Sequence, residues 1–205
     1  MLILSVPHAS EETAAGDHNS LAIANKLHGH VVSSQLLRPL HEGVLIARTA
    51  ETDYNRSHTP WPELEEAMAD ENAKLLDIHT YGKTVPKGWE DGLKKGGTTP
   101  ILIVMLLEGN EQRTLYEQYF SAYPWIKGSS ANRNVQLHPE RSLLLEFNSD
   151  ALHMEDEWQG VLQAVAAYAA GRPLTMHDQQ QVERERDADV LPLRYPVAAG
   201  TNLLF

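Results

Sequence analysis

Along the chain, short runs of β-branched residues or leucine alternate with stretches whose apolar residues recur at helical spacing. Leu2 to Val6 reads as a strand stopped by Pro7, and Leu21 to Leu27 as a helix that Asp17, Asn19 or Ser20 could cap. Val31 to Leu37 and Val44 to Ala47 read as two further strands. Pro62 to Leu75 opens with proline and carries Glu63, Glu65 and Glu66 early, which suits the positive end of a helix dipole. A short strand follows over Leu75 to Ile78. Gly82 to Thr99 contains five glycines, so a mobile loop is expected there. Ile101 to Leu107 is apolar throughout, as in a strand covered on both faces. Glu111 to Phe120 reads as helix, Leu143 to Leu145 begins a strand, and Glu155 to Ala169 is a helix closed by Gly171 and Pro173.

Strands alternating with helices predict an α/β domain of three layers, with a mostly parallel or mixed sheet and helices on both faces. That pattern covers residues 1–171. Residues 172–205 depart from it, with a charged stretch from Asp178 to Asp189, then Pro192, Pro196 and an apolar end at Leu203-Leu204-Phe205. Two readings stay open for this tail: a segment packed on the surface, or an arm that reaches a second subunit in a homo-oligomer.

Composition narrows the function. Among 205 residues, 28 acids outnumber 17 bases and the formal charge is −11. Phosphates repel such a surface, so neither nucleic acid nor an anionic membrane is an expected partner. The longest apolar run, Ile101 to Leu107, is far below a membrane span. Leu2 to Val6 is too short for the apolar core of a leader, which makes the cytoplasm the expected compartment. The absence of cysteine removes disulfides, a thiol nucleophile and thiolate-held metals. A transition metal must then be held by carboxylates and by some of the ten histidines.

The polar residues of interest gather where strands end. Leu2–Val6 runs into Pro7-His8-Ala9-Ser10-Glu11, and Val44–Ala47 runs into Arg48, with Asp53-Tyr54-Asn55-Arg56 beyond. The next strand carries Asp77-Ile78-His79-Thr80, and the late one Glu146-Phe147-Asn148. Ligands of open α/β sheets bind outside the carboxyl ends of the strands, where such side chains converge. A catalytic zinc commonly has three protein ligands and one open position. The spacing of His8 and Glu11 lets both face one ion, His79 is the natural third ligand, and Asp77 can support a ligand imidazole from behind. The plainer alternative makes His8 and His79 hydrogen-bonded packing residues. Glu146 emerges after three leucines and suits a general base, or else a salt bridge to a nearby arginine. Arg48, Asn55 and Arg56 offer donors for a substrate carboxylate, with Arg133 a further possibility in a glycine- and serine-containing loop.

Ser5-Val6-Pro7-His8-Ala9-Ser10, Asp53-Tyr54-Asn55-Arg56, Asp77-Ile78-His79 and Leu144-Leu145-Glu146-Phe147-Asn148 together resemble the N-formylglutamate amidohydrolase family. The motifs follow that family's order and span residues 1 to about 150; the set is also similar to that of zinc carboxypeptidases. The resemblance implies a zinc-carboxypeptidase-like fold and one zinc ion per chain, held by His8, Glu11 and His79. It implies Glu146 as general base, with Asn55 and Arg56 on the carboxylate of a small anionic amide or peptide substrate. Ser10 stands where the family usually has glycine, and Asp17 is an alternative acidic ligand to Glu11. A carboxypeptidase or poly-γ-glutamate peptidase would use the same residues, and a non-catalytic anion-binding module would keep only the Asn55-Arg56 clamp.

Overall fold

The computed structural model describes residues 1–7, 19–33, 43–47, 62–89, 99–107, 109–128 and 133–180. Among these described residues six strands make one sheet: β1 (Leu2–Val6), β2 (Gly43–Ala47), β3 (Lys74–Tyr81), β4 (Leu102–Leu106), β5 (Trp125–Lys127) and β6 (Ser142–Asn148). Their order is β2-β1-β3-β6-β4-β5. The pairs β1/β2, β1/β3, β3/β6 and β4/β5 are parallel, and β4/β6 is antiparallel. The sheet is therefore mixed, and the carboxyl ends of β1, β2, β3 and β6 share one edge. From β1 the chain first moves outward to β2 and then returns to β3 on the other side, so the strand order reverses between β1 and β3.

Helices cover both faces. On the first lie α1 (Ser20–Ser33), α5 (Glu155–Ala170) and a π-helical turn, Tyr116–Phe120, that continues α3 (Asn110–Leu115). Ile23, Ala24 and Leu27 of α1 and Val161, Leu162 and Val165 of α5 share a core with Leu4, Val6, Leu76, Ile78, Leu145 and Phe147. Phe147 stacks on Trp158 at 5.8 Å between ring centroids. On the second face, α2 (Pro62–Met68) supplies Leu64 and Met68 and α4 (Arg133–Gln136) supplies Val135, packed with Ile3, Leu75, Ile103 and Leu144.

Two of the expected elements differ from their expected form, and β5 and α4 were not expected. Val31 and Val32 continue α1 instead of opening a strand, because Ile23, Leu27 and Val31 repeat every fourth position and that helical period outweighs β-branched propensity. Residues 34–37 of that expected strand lie outside the described residues. The helix from Pro62 stops at Met68, not Leu75. Arg141 donates to the Met68 carbonyl at 2.8 Å, and the Asp70 carboxylate accepts the Asn72 N–H at 2.9 Å, which turns the chain into β3. Within the glycine-containing stretch after β3, Trp89 packs near Tyr81 at 6.2 Å between ring centroids, and residues 90–98 lie outside the described residues.

At the far end of α5, Gly171 adopts φ 69°, the left-handed cap that glycine tolerates, and Lys74 donates to the Tyr168 carbonyl at 2.6 Å. The described start of the tail packs on the domain. Leu174 lies against the first core, and Arg172 pairs with Asp178 at 2.6 Å. Among the described residues no helix is long and apolar enough to cross a membrane.

Candidate functional site

Residues alternate across a strand, and register partners in neighbouring strands share a face. Ser5 is the partner of Asp77, His79 of Glu146, and Tyr81 of Asn148. All six therefore lie on the second face, toward the common carboxyl edge and beside the reversal of strand order between β1 and β3. Nearer the amino ends the same face carries Ile3, Leu75 and Leu144. The polar residues are as buried as the apolar ones: Asp77 is fully enclosed, His79 is 5% exposed and Glu146 is 9% exposed. Enclosing such groups is costly unless hydrogen bonds replace water.

Asp77 has those bonds. Its Oδ1 accepts from the Ser5 hydroxyl and from the Asn134 amide at 3.3 Å, and its Oδ2 lies 3.4 Å from His79 Nε2. Ser5 is held by the β1/β3 register, and Asn134 is brought over the strand by α4. The carboxylate therefore sits behind the imidazole, oriented by donors from two other elements. Glu146 stands beside His79 on the neighbouring strand, and both make further interactions.

The rim of the site is closed by Tyr81 and Asn148. The Tyr81 hydroxyl donates to the Pro100 carbonyl, and the Asn148 amide lies 3.5 Å from both the Tyr81 hydroxyl and the Lys83 carbonyl. Asn148 Oδ1 accepts the Asp150 N–H at 2.8 Å. Burial pushes the Tyr81 hydroxyl up to about 12; the Asn148 amide opposes the shift, and the Glu157 and Glu146 carboxylates reinforce it. Tyr81 thus keeps its proton at neutral pH, fit to donate a hydrogen bond and unfit to act as a base.

Of the residues expected at the site, the structure brings together His79, Asp77 and Glu146. His8, Glu11, Asp17, Arg48, Asn55 and Arg56 lie outside the described residues, as does the side chain of Arg133, the first residue of α4. Ser5 and Asn134 were not expected there. A polar residue inside the otherwise apolar run Leu2–Val6 is a usable signal for Ser5, whereas nothing in the sequence near Asn134 marks it as a partner of a strand residue 57 positions earlier.

Among the described residues no group of three or more potential ligands is arranged around a common point. What those residues provide fits part of a zinc site in its chemistry. An imidazole backed by a buried carboxylate is how ligand histidines are oriented, and a second carboxylate stands alongside. A separate cavity of about 510 Å³ lies at the carboxyl ends of β4 and β5, lined by Leu107, Glu111, Gln112, Lys127 and Gly128 among others. Because β4 runs antiparallel to β6, that cavity is at the opposite edge of the sheet from His79.

No family model matches the chain, and no curated protein matches it. A solved structure, that of gene product Atu2144 from Agrobacterium tumefaciens, is similar over 90% of this chain and 89% of that one, at 11% identity and a TM-score of 0.45. The functional reading therefore rests on this chain's own residues.

Proposed function

We infer that the chain is a zinc-dependent hydrolase of an amide bond in a small carboxylate-bearing substrate of the N-formyl- or N-acyl-glutamate type. The observation that carries this reading is the register pairing of buried His79 with buried Glu146 at the carboxyl edge of the sheet, with Asp77 behind the imidazole. His79 would hold the ion together with His8 and Glu11, or with Asp17 in place of Glu11. When bound there, zinc supplies Lewis acidity to the amide carbonyl and to an attacking water. Glu146 would take a proton from the attacking water and deliver it to the departing nitrogen, a role that its position beside His79 supports.

Arg56 and Asn55, with Arg48 and Arg133 as further donors, hold the substrate carboxylate, converting binding energy into orientation of the amide. The net charge of −11 makes this local positive charge necessary, since the molecule as a whole repels an anionic substrate. The enzyme is expected to act in the cytoplasm, and the segment after residue 172 to serve any assembly of subunits. Side-by-side assay of formyl-, acetyl- and γ-glutamyl-amino acids with the zinc-loaded protein tests the reading. Preference for the formyl or acetyl substrates supports it. Preference for γ-glutamyl substrates moves the assignment to a peptidase using the same site, and no hydrolysis of any of them removes it.

A further inference from the structure

The geometry points to Ser5 and Asn134 as positioning residues that fix which nitrogen of His79 carries the proton, so that Nδ1 presents the lone pair. Its functional consequence rests on the zinc reading above, whereas the tautomer itself does not. A carboxylate only accepts hydrogen bonds. Both donors, the Ser5 hydroxyl and the Asn134 amide, fall on the same oxygen of Asp77, Oδ1. That leaves Oδ2 to face His79 Nε2 at 3.4 Å, and a ring nitrogen facing an acceptor must present its N–H. The neutral ring then holds its proton on Nε2 and its electron pair on Nδ1.

Ser5, Asp77 and Asn134 are all fully enclosed, so the arrangement is set by the protein and not by solvent. Among the described residues, Asn134 Oδ1 has no hydrogen-bond partner. An amide buried only for packing would not be favoured with an unsatisfied acceptor, whereas one required as a donor to Asp77 has a reason to be there. The two donors come from different elements, β1 and α4, and together hold the plane of the carboxylate that a single bond would leave free to turn.

The test uses full-length, chelator-treated protein with isotope-labelled histidine. Long-range proton–nitrogen NMR correlations are recorded where the imidazoles are neutral, and His79→Gln identifies the signals. The expected result is an Nε2–H ring for His79 in the unaltered protein. Ser5→Ala and Asn134→Ala should each mix in the other tautomer, whereas Ser5→Thr, which keeps the hydroxyl, should retain the original one. Zinc affinity in Ser5→Ala should fall about tenfold, the low end of the range for groups behind metal ligands. An Nδ1–H ring in the unaltered protein overturns the inference. So does an unchanged tautomer in a folded Ser5→Ala/Asn134→Ala protein. An Nε2–H ring that responds to these substitutions in a protein with no zinc affinity supports the positioning role and overturns the zinc reading, so the two fail separately.

Discussion

The two faces of the sheet are built from alternate residues of the same strands and end differently. On the face under α1 and α5, β1, β3 and β6 contribute Leu4, Val6, Leu76, Ile78, Leu143, Leu145 and Phe147, and of these three strands only half-buried Thr80 is polar there near the carboxyl edge. On the face under α2 and α4, Ile3, Leu75 and Leu144 give way to Ser5, Asp77, His79, Glu146 and Asn148. Leu145, Glu146 and Phe147 are all buried, so enclosure alone does not call for a polar side chain at this depth. The first face shows that this backbone closes a core without them. Closing a core on this backbone does not require the polar half of the second face, and local departures from the rules of core packing concentrate at functional sites.

Substitutions on either face sharpen or break that contrast. The largest effect is expected from Leu145→Asp, which places an unpaired carboxylate in the apolar core beside Phe147. About 3–5 kcal/mol or more is expected for an uncompensated buried charge, enough to consume much of a domain's stability. A thermal melt followed by circular dichroism should show no cooperative transition. Phe147→Ala removes the ring stacked on Trp158 and should cost about 3–5 kcal/mol in urea denaturation. Across the strand the consequence should invert: Glu146→Gln should leave the melt nearly unchanged while lowering kcat about 10²- to 10⁴-fold. A folded Glu146→Gln protein with full turnover would show that the polar face is a structural network.

Two smaller effects lie outside the sheet. The Arg172 guanidinium beside Asp178 holds its carboxyl down to about 2 from an ordinary value of 3.8. A depressed folded-state value means the pair stabilises fully above 3.8 and that its contribution is lost as pH falls toward 2. The difference in melting temperature between the unaltered protein and Asp178→Asn should thus be present at neutral pH and close near pH 2. The smallest expected change is in salt. With a charge of −11, kcat/KM for an anionic substrate should rise modestly with added salt, as screening weakens long-range repulsion more than close contacts. A steep fall over the same range would count against an anionic substrate.

Much of the sheet was legible because β1, β3, β4 and β6 are short apolar runs bounded by breakers or acids. The fold class followed from their alternation with helical periods. β5 was not legible: Trp125–Lys127 is three residues long, and only its pairing with β4 makes it a strand. Val31 and Val32 misled because β-branching signals a strand until the four-residue spacing from Ile23 is followed through. At the site, Asp77, His79 and Glu146 stood out as charged or imidazole side chains within apolar runs. Their pairing depends on β3 and β6 becoming neighbours, which no local pattern encodes. Asn134 reaches Asp77 only through the placement of α4, a contact set by tertiary packing alone.

On the proposed reading, His79 and Glu146 share a zinc site at which Glu146 moves the proton. The most direct test measures bound zinc and hydrolysis of an N-acyl amino acid in parallel for the unaltered protein, Glu146→Gln and His79→Ala. One zinc per chain with activity, zinc retained with turnover nearly abolished, and zinc lost are the respective expected results. Folded, unaltered protein that takes up no stoichiometric zinc and gains no activity on zinc addition would contradict it.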